Sequence, residues 1–169
     1  MSSDIAWANI ALLALDCDGV LTDGGVYVGG NNMEMRRFHI HDGLGIRHIM
    51  KAGVQVAIIS AANAPSIAHR GAQLKVTETH INVGDKTECL MDIAARLNIP
   101  LTDCAFMGDD LVDLEPMSHV GFPLSVANGR LEVREKAVYV TNTSGGFGAV
   151  REITDLVTQA KSNSAGHLL

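Results

Sequence analysis

Leu12-Leu13-Ala14-Leu15-Asp16-Cys17-Asp18-Gly19-Val20-Leu21-Thr22-Asp23 joins a short apolar run to two carboxylates, one residue apart, and a glycine. The run is too short to cross a bilayer and reads as a buried strand of a parallel sheet. Asp16 and Asp18 then fall at the strand's carboxyl end, where open α/β sheets bind their ligands. Carboxylates held close together repel, so they call for a cation or a proton between them. Hard oxygen ligands favour Mg²⁺. Gly19 opens backbone conformations closed to residues with a Cβ, which lets the chain turn tightly over the site. Asp and Gly are also ordinary turn residues, so the choice between a metal site and a plain turn rests on the rest of the chain.

Beyond this stretch, Val26/Val28 and Met33/Met35 alternate around Gly29-Gly30-Asn31-Asn32, which predicts a β-hairpin over about 25–40. An isolated hairpin is marginal in water, and a subunit interface is the economical place to bury it. His41-Asp42-Gly43 leads into a short helix over Leu44–Ala52 with Leu44, Ile46, Ile49 and Met50 inward and Gly53 as its stop. Val54–Ser60 reads as a second strand. Asn63 and Pro65 open a helix to about Leu74, and a short strand follows at His80–Val83. Asp85-Lys86-Thr87-Glu88 resembles a capping box and opens a helix to about Asn98. Cys104–Met107 is another buried strand, ending in Gly108-Asp109-Asp110-Leu111-Val112-Asp113. A short helix, a strand at Val120–Val126, a helix near Arg130–Lys136 and a strand at Val138–Thr141 come next. Gly145-Gly146-Phe147-Gly148 forms a loop, a last helix covers about Ala149–Lys161, and residues 162–169 read as a mobile tail. Strand and helix alternate, with one inserted hairpin. The fold class is therefore α/β: a single domain over 1–169 with a doubly wound, mostly parallel, Rossmann-like sheet.

Composition narrows the function. A chain of 169 residues is long enough for one sizeable core. A net charge of −6 and only 4% aromatic residues argue against a nucleic-acid partner. No apolar run approaches a membrane span and the start lacks the pattern of a signal peptide, so a cytoplasmic protein is expected. Cys17, Cys89 and Cys104 are odd in number and lack C-x-x-C spacing, which points neither to a disulfide framework nor to zinc. His39 and His41 lack a third soft ligand nearby and read as surface or interface residues. The glycine loop at 145–148 lacks G-x-G-x-x-G and a Walker lysine, so it is no nucleotide loop and reads instead as a structural turn closing over the edge of the site.

Three strands end in polar residues: Asp16/Asp18, Ser60, and Asp109/Asp110/Asp113, with Lys86 at a helix start between the last two. Strand ends share one edge of a parallel sheet, so these groups can converge. Carboxylates, one lysine and one hydroxyl fit Mg²⁺ and a phosphate: the metal offsets the carboxylate repulsion, and the lysine and hydroxyl hold phosphate oxygens. An Asp can itself be the nucleophile.

In these motifs, taken in order, the chain resembles the haloacid-dehalogenase-like phosphatases, and among them the small, capless 3-deoxy-D-manno-octulosonate 8-phosphate phosphatases. The resemblance rests on Asp16–Asp23, the hairpin, His41–Gly45, Asp85-Lys86, Gly108–Asp113 and Gly145–Glu152. It implies a Mg²⁺-dependent phosphomonoesterase acting on a small acidic sugar phosphate, on the route to lipopolysaccharide. By position it implies Asp16 as nucleophile and Asp18 as acid and base. Asp16, the Asp18 carbonyl and Asp109 would hold Mg²⁺, and Ser60 and Lys86 the phosphoryl group. Asp110 and Asp113 would orient Lys86 and metal-bound water. It also implies a homotetramer built through the hairpins, in which a neighbouring subunit helps cover each site.

One position departs from that pattern. Where the family usually reads Thr/Ser-Gly-Arg, this chain has Ser60-Ala61-Ala62, and alanine cannot grip a substrate carboxylate as arginine does. Arg36, Arg37 and Arg70 are the candidates to replace that charge. The departure leaves three further readings: a phosphatase for a nonulosonate 9-phosphate, one for another sugar phosphate, or a catalytically silent homologue. A signalling receiver also uses Mg²⁺ and a phosphorylated Asp, but it places its acidic pair and its acceptor on different strands, whereas here Asp16 and Asp18 share one.

Overall fold

The structure, a computed structural model, describes residues 5–31 and 33–166, and of residues 165 and 166 the backbone alone. After a 3₁₀ turn at Trp7–Asn9 come β1 (Leu12–Leu15), β2 (Thr22–Val28), β3 (Glu34–Phe38), α1 (Ile40–Lys51), β4 (Gln55–Ile59) and α2 (Pro65–Leu74). Then follow β5 (Glu78–His80), α3 (Lys86–Arg96), β6 (Cys104–Gly108), α4 (Leu114–Ser118), β7 (Phe122–Ser125), α5 (Leu131–Arg134), β8 (Tyr139–Val140) and α6 (Ala149–Gly166).

Six strands form one parallel sheet in the order β5-β4-β1-β6-β7-β8, and β2 and β3 form a separate antiparallel hairpin. β1 lies at the centre because it can bury both of its faces. Leu13 and Leu15 pack with Ile46, Ile49, Ile67, Ile153 and Val157, under α1, α2 and α6. Leu12 and Ala14 pack with Leu90, Ile93, Met117 and Val133, under α3, α4 and α5. This alternation is the period of two of a strand with helices on both sides. The strand order reverses at β1, which pairs Leu15 with Ile58 of β4 on one side and Met107 of β6 on the other. The polar residues that follow these three strands therefore meet at the switch point of the sheet.

Several boundaries differ from the sequence reading. The strand expected at His80–Val83 is Glu78–His80, since β5 pairs Ala57 with Glu78 and Asn82 turns the chain away with φ +56°. α1 begins four residues before Leu44, at Ile40, and takes His41-Asp42-Gly43 into its first turn. Ile46 and Ile49 are buried as expected, while Leu44 is 44% exposed, because at 3.6 residues per turn it lies on the face opposite Ile46 and Ile49. β7, α5 and β8 are each shorter than read. Asn63 precedes Ala64, the N-cap of α2, and provides no cap bond. The last helix passes Lys161 and runs to Gly166, so the described part of the expected tail is helical; residues 167–169 lie outside the described residues, as does Asn32 of the expected turn. Trp7 is buried, edge-on to Tyr139 with ring centroids 5.3 Å apart. Among the described residues no helix is long and apolar enough to cross a membrane.

Candidate active site

Asp16 continues β1, its amide donating to Met107 O at 3.0 Å. The chain then wraps around one carbonyl: Cys17 O accepts from the amides of Val20, Leu21 and Thr22. Thr22 Oγ1 accepts from Gly19 N at 3.3 Å and Gly24 N at 3.2 Å, so the turn is satisfied internally. Gly19 sits at φ +93°, and a Cβ there would run into the Asp109 carboxylate; only glycine lets the two strand ends approach this closely. Behind the turn, Gly145 lies against Gly19 O so tightly that a Cβ would overlap it, and Gly146 N donates to Val20 O at 3.0 Å. The glycine loop at 145–148 thus braces the Asp16–Asp18 turn. Arg37 ties it to the hairpin, donating to Gly146 O at 2.9 Å and lying 4.5 Å over the Phe147 ring.

Asp85 caps α3 by accepting from Thr87 N and Glu88 N. That cap aims Lys86, the first residue of the helix, into the sheet edge. Its ammonium donates to Asp16 Oδ1 at 2.8 Å and Asp113 Oδ1 at 2.7 Å, and the residue is only 6% exposed. Burial alone would lower the lysine's pKa; the carboxylates of Asp16 and Asp113 outweigh it and hold the ammonium above its ordinary value. Beyond β6, Asp113 Oδ2 accepts from the amides of Asp109 and Asp110 at 3.0 and 3.2 Å. Both Asp113 oxygens are thus engaged by donors, whereas Asp109 Oδ1 is buried without a partner.

Carboxylate oxygens of Asp16, Asp109 and Asp113 lie within 4.8 Å of one another, the only such group of metal-binding side chains among the described residues. Burial, and next the charge of Asp113, push Asp16 up to about 6; burial, and next Asp16 and Asp113, push Asp109 up to about 8. These groups fit a hard divalent cation: the site concentrates negative charge that one lysine does not neutralise, and it leaves a buried carboxylate oxygen unpartnered. Asp16 and Asp109 are the carboxylates with capacity to spare. Among the described residues the Asp18 carbonyl accepts no hydrogen bond.

The raised values set a sign. In metal-free protein each acid stays neutral in the fold at pH values where the unfolded chain, titrating near 3.8, has already ionised it, so the cost grows from about pH 4 upward and levels off only above about 6 for Asp16 and about 8 for Asp109. Bound Mg²⁺ removes that cost. The melting-temperature gap between Mg²⁺-loaded and chelator-treated protein is expected to widen from pH 5.5 to pH 8.5, as differential scanning calorimetry would read. A gap that narrows would contradict these carboxylates as the metal site.

Ser60, after β4, is buried, its Oγ accepting from Ala62 N at 3.2 Å. With Ala61 and Ala62 it lines the same cleft as Asp16, Asp18, Lys86 and Asp109, a space of about 200 Å³. That is below the roughly 300–1,000 Å³ of sites that enclose a drug-sized ligand. The cleft suits a phosphoryl group and an ion, and the body of a larger substrate would lie outside it. A larger groove along the outer face of α3, near Cys89 and Met91, has no comparable convergence of charge. Asp110 lies at the cleft rim but does not touch Lys86; it caps the 3₁₀ turn at Leu111–Asp113 and faces Arg130 at 3.8 Å. His39 and His41 pack edge-on to each other, with centroids 4.9 Å apart, outside the cluster. All three cysteines are free.

Arg36 is the site contact that the sequence did not reveal. From β3 it forks onto Asp18, Nε to Oδ1 at 2.6 Å and Nη2 to Oδ2 at 3.1 Å, with Nη1 on Glu34. Eighteen residues separate the partners, and only the seating of the hairpin on the sheet edge joins them.

A family profile described as haloacid dehalogenase-like hydrolase matches residues 73–153. The 3-deoxy-D-manno-octulosonate 8-phosphate phosphatase of Escherichia coli K12 is 39% identical over 153 residues, 90% of this chain and 81% of the relative. That of Yersinia pestis is 37% identical over 94% of this chain and 85% of its own. Among solved structures, the phosphatase of that name from Moraxella catarrhalis, in complex with magnesium, phosphate and a KDO molecule, matches with a TM-score of 0.90 and 33% identity, covering 96% of this chain and 94% of that one. A cobalt-bound phosphatase from Haemophilus influenzae matches with a TM-score of 0.90 and 33% identity, covering 95% and 94%.

Proposed function

The chain belongs to the 3-deoxy-D-manno-octulosonate 8-phosphate phosphatase family of the haloacid dehalogenase-like hydrolases, and from this we propose that it hydrolyses 3-deoxy-D-manno-octulosonate 8-phosphate with Mg²⁺ through an aspartyl-phosphate. The observation that carries the chemistry is the convergence of Asp16, Asp109 and Asp113 on Lys86 at the switch point of the sheet. Asp16 attacks phosphorus, and Lys86 and Ser60 hold the phosphoryl oxygens. Asp18 gives its proton to the leaving alkoxide, then takes one from the water that cleaves the aspartyl-phosphate. Asp16, Asp109 and the Asp18 carbonyl hold Mg²⁺, which when bound offsets the carboxylates and the charge developing on the phosphoryl oxygens. Asp113 keeps Lys86 and the amides of Asp109 and Asp110 in place. Asp110 stands at the rim, where it can orient metal-bound water.

The experiment is phosphate release from the eight-carbon acid phosphate, a nonulosonate 9-phosphate and ribose 5-phosphate, compared as kcat/KM. Preference for the eight-carbon acid is expected. Preference for the nine-carbon acid would keep the chemistry and change the substrate, and no release from any would favour a silent homologue.

We further infer that the protein works in the cytoplasm as a single domain, assembled into a homotetramer through its hairpins. Val26, Tyr27, Val28, Met33 and Met35 are 44–80% exposed on one small hairpin, an apolar surface that burial against a second copy would remove from water. Light scattering is expected to give four times the 18.0 kDa chain mass. Replacing Tyr27 and Val28 with Ser and Lys should lower it. A monomer in the unmodified protein would contradict the assembly.

A further inference from the structure

The eight-carbon substrate carries two anionic ends, a phosphate and a carboxylate; among the described residues Lys86 and Arg36 bond to carboxylates of the cleft, while Arg130 faces Asp110 at its rim, 3.8 Å away. Lys86 is buried between Asp16 and Asp113 and serves the phosphate end. Arg37 is engaged by Asp23, Gly146 O and the Phe147 ring; Arg70 lies 5.6 Å from the Phe38 ring and contacts His39 O. Arg36 alone of the three touches a carboxylate of the cleft.

That contact is chemically awkward for an acid and base. A guanidinium fork on both Asp18 oxygens takes one lone pair of each and fixes the carboxylate toward the hairpin, so it is not free to swing to the leaving group. The fork is planar, matched to any carboxylate, and exchangeable between two of them. Arg36 has five N–H donors, of which Asp18 and Glu34 take three. It also lines a groove of about 280 Å³ between β3 and α2 with Ser66 and Arg70. The Ser66 hydroxyl there is buried and has no partner. The groove thus offers a second cation and an unmet hydroxyl next to the guanidinium.

Resting on the function proposed above, we propose that Arg36 is the specificity-determining residue of this enzyme: it binds the carboxylate of the sugar acid and, in exchanging one carboxylate for another, releases Asp18 to the leaving oxygen. Acid-bearing substrates free their own general acid. A neutral sugar phosphate has nothing to offer Arg36, and Asp18 stays held.

The test compares 3-deoxy-D-manno-octulosonate 8-phosphate with ribose 5-phosphate on the Mg²⁺-loaded wild-type protein and on Arg36→Gln. Losing a charge-assisted fork is expected to lower kcat/KM for the acid by about 10- to 100-fold. The value for ribose 5-phosphate should rise, because Asp18 is no longer held. Inhibition by inorganic phosphate should be unchanged, which shows that the Asp16–Lys86 centre is intact. Arg36→Lys, which keeps the charge but loses the fork, should give an intermediate ratio and serves if the glutamine variant does not fold. Equal losses on both substrates would reduce Arg36 to a support for Asp18 and overturn the proposal, as would an unchanged preference for the acid. If wild-type protein shows no preference for the acid, the proposed function fails instead, before any variant is made.

Discussion

Asp16→Asn is expected to reduce phosphate release by about 10⁴-fold or more, because an amide is a poor nucleophile and no other side chain occupies its position at the end of β1. The substitution changes no volume and leaves the Leu12–Leu15 strand, its pairing with β4 and β6 and both faces of the core untouched. Circular dichroism and melting should therefore report a folded protein, while steady-state phosphate assays report the loss. Activity near that of wild type would show that Asp16 does not attack phosphorus.

Lys86→Met is the second large effect, and it acts on both stability and rate. Among the described residues the lysine is the one cation in contact with Asp16 and Asp113, and Asp109 lies beside them. Removing one partner from a buried charge group leaves the others uncompensated, a cost of about 3–5 kcal/mol. For a chain of this size that corresponds to a melting temperature lower by about 6–20 °C in chelator. Mg²⁺ should recover part of the stability by neutralising the same carboxylates, but not the rate. Loss of one preorganised cation at the phosphoryl oxygens is expected to lower kcat by about 10²- to 10³-fold. An unchanged melting temperature in chelator would show that Lys86 does not hold this cluster together.

Much of this arrangement can be read from the chain because the signals are local. Leu12–Leu15 is apolar at every position, which fits only a strand covered on both faces, and so the residues after it must lie at a sheet edge. Asp85 caps a helix wherever it occurs in this spacing, and Lys86 follows it inward. What was not legible depends on contacts between distant segments. α1 starts at Ile40 behind His39, whose side chain makes no cap bond, so nothing in the sequence marks the boundary; the outward face of Leu44, by contrast, follows from its spacing to Ile46 and Ile49 and was misassigned. β5 is three residues long and is placed by its pairing with β4 and by the left-handed turn at Asn82 rather than by its own pattern. The resemblance implied that Asp113 orients Lys86, but by pattern alone it is one more acid in a run, and its grip on the amides of Asp109 and Asp110 appears only when the 3₁₀ turn folds it back. Arg36 was one of three arginines that could supply a missing charge, and the seating of the hairpin distinguishes it from Arg37 and Arg70.

The glycines show the same limit. Gly19 reads as a turn residue, and the sequence does not show that its missing side chain is what admits the Asp109 carboxylate. The loop at 145–148 reads as a structural turn over the edge of the site, but the sequence does not show that Gly145 packs against Gly19 O and so braces the Asp16–Asp18 turn from behind. Both are close approaches between segments far apart in the chain.

The measurement that tests the account most directly is a crystal structure of the protein with Mg²⁺ and beryllofluoride, which mimics a phosphoryl group on a carboxylate. The account expects beryllium bonded to an Asp16 oxygen, Lys86 and Ser60 on the fluorines, and Mg²⁺ held by Asp16, Asp109 and the Asp18 carbonyl. An adduct on another carboxylate, or Mg²⁺ bound with Asp16 left free, would contradict it.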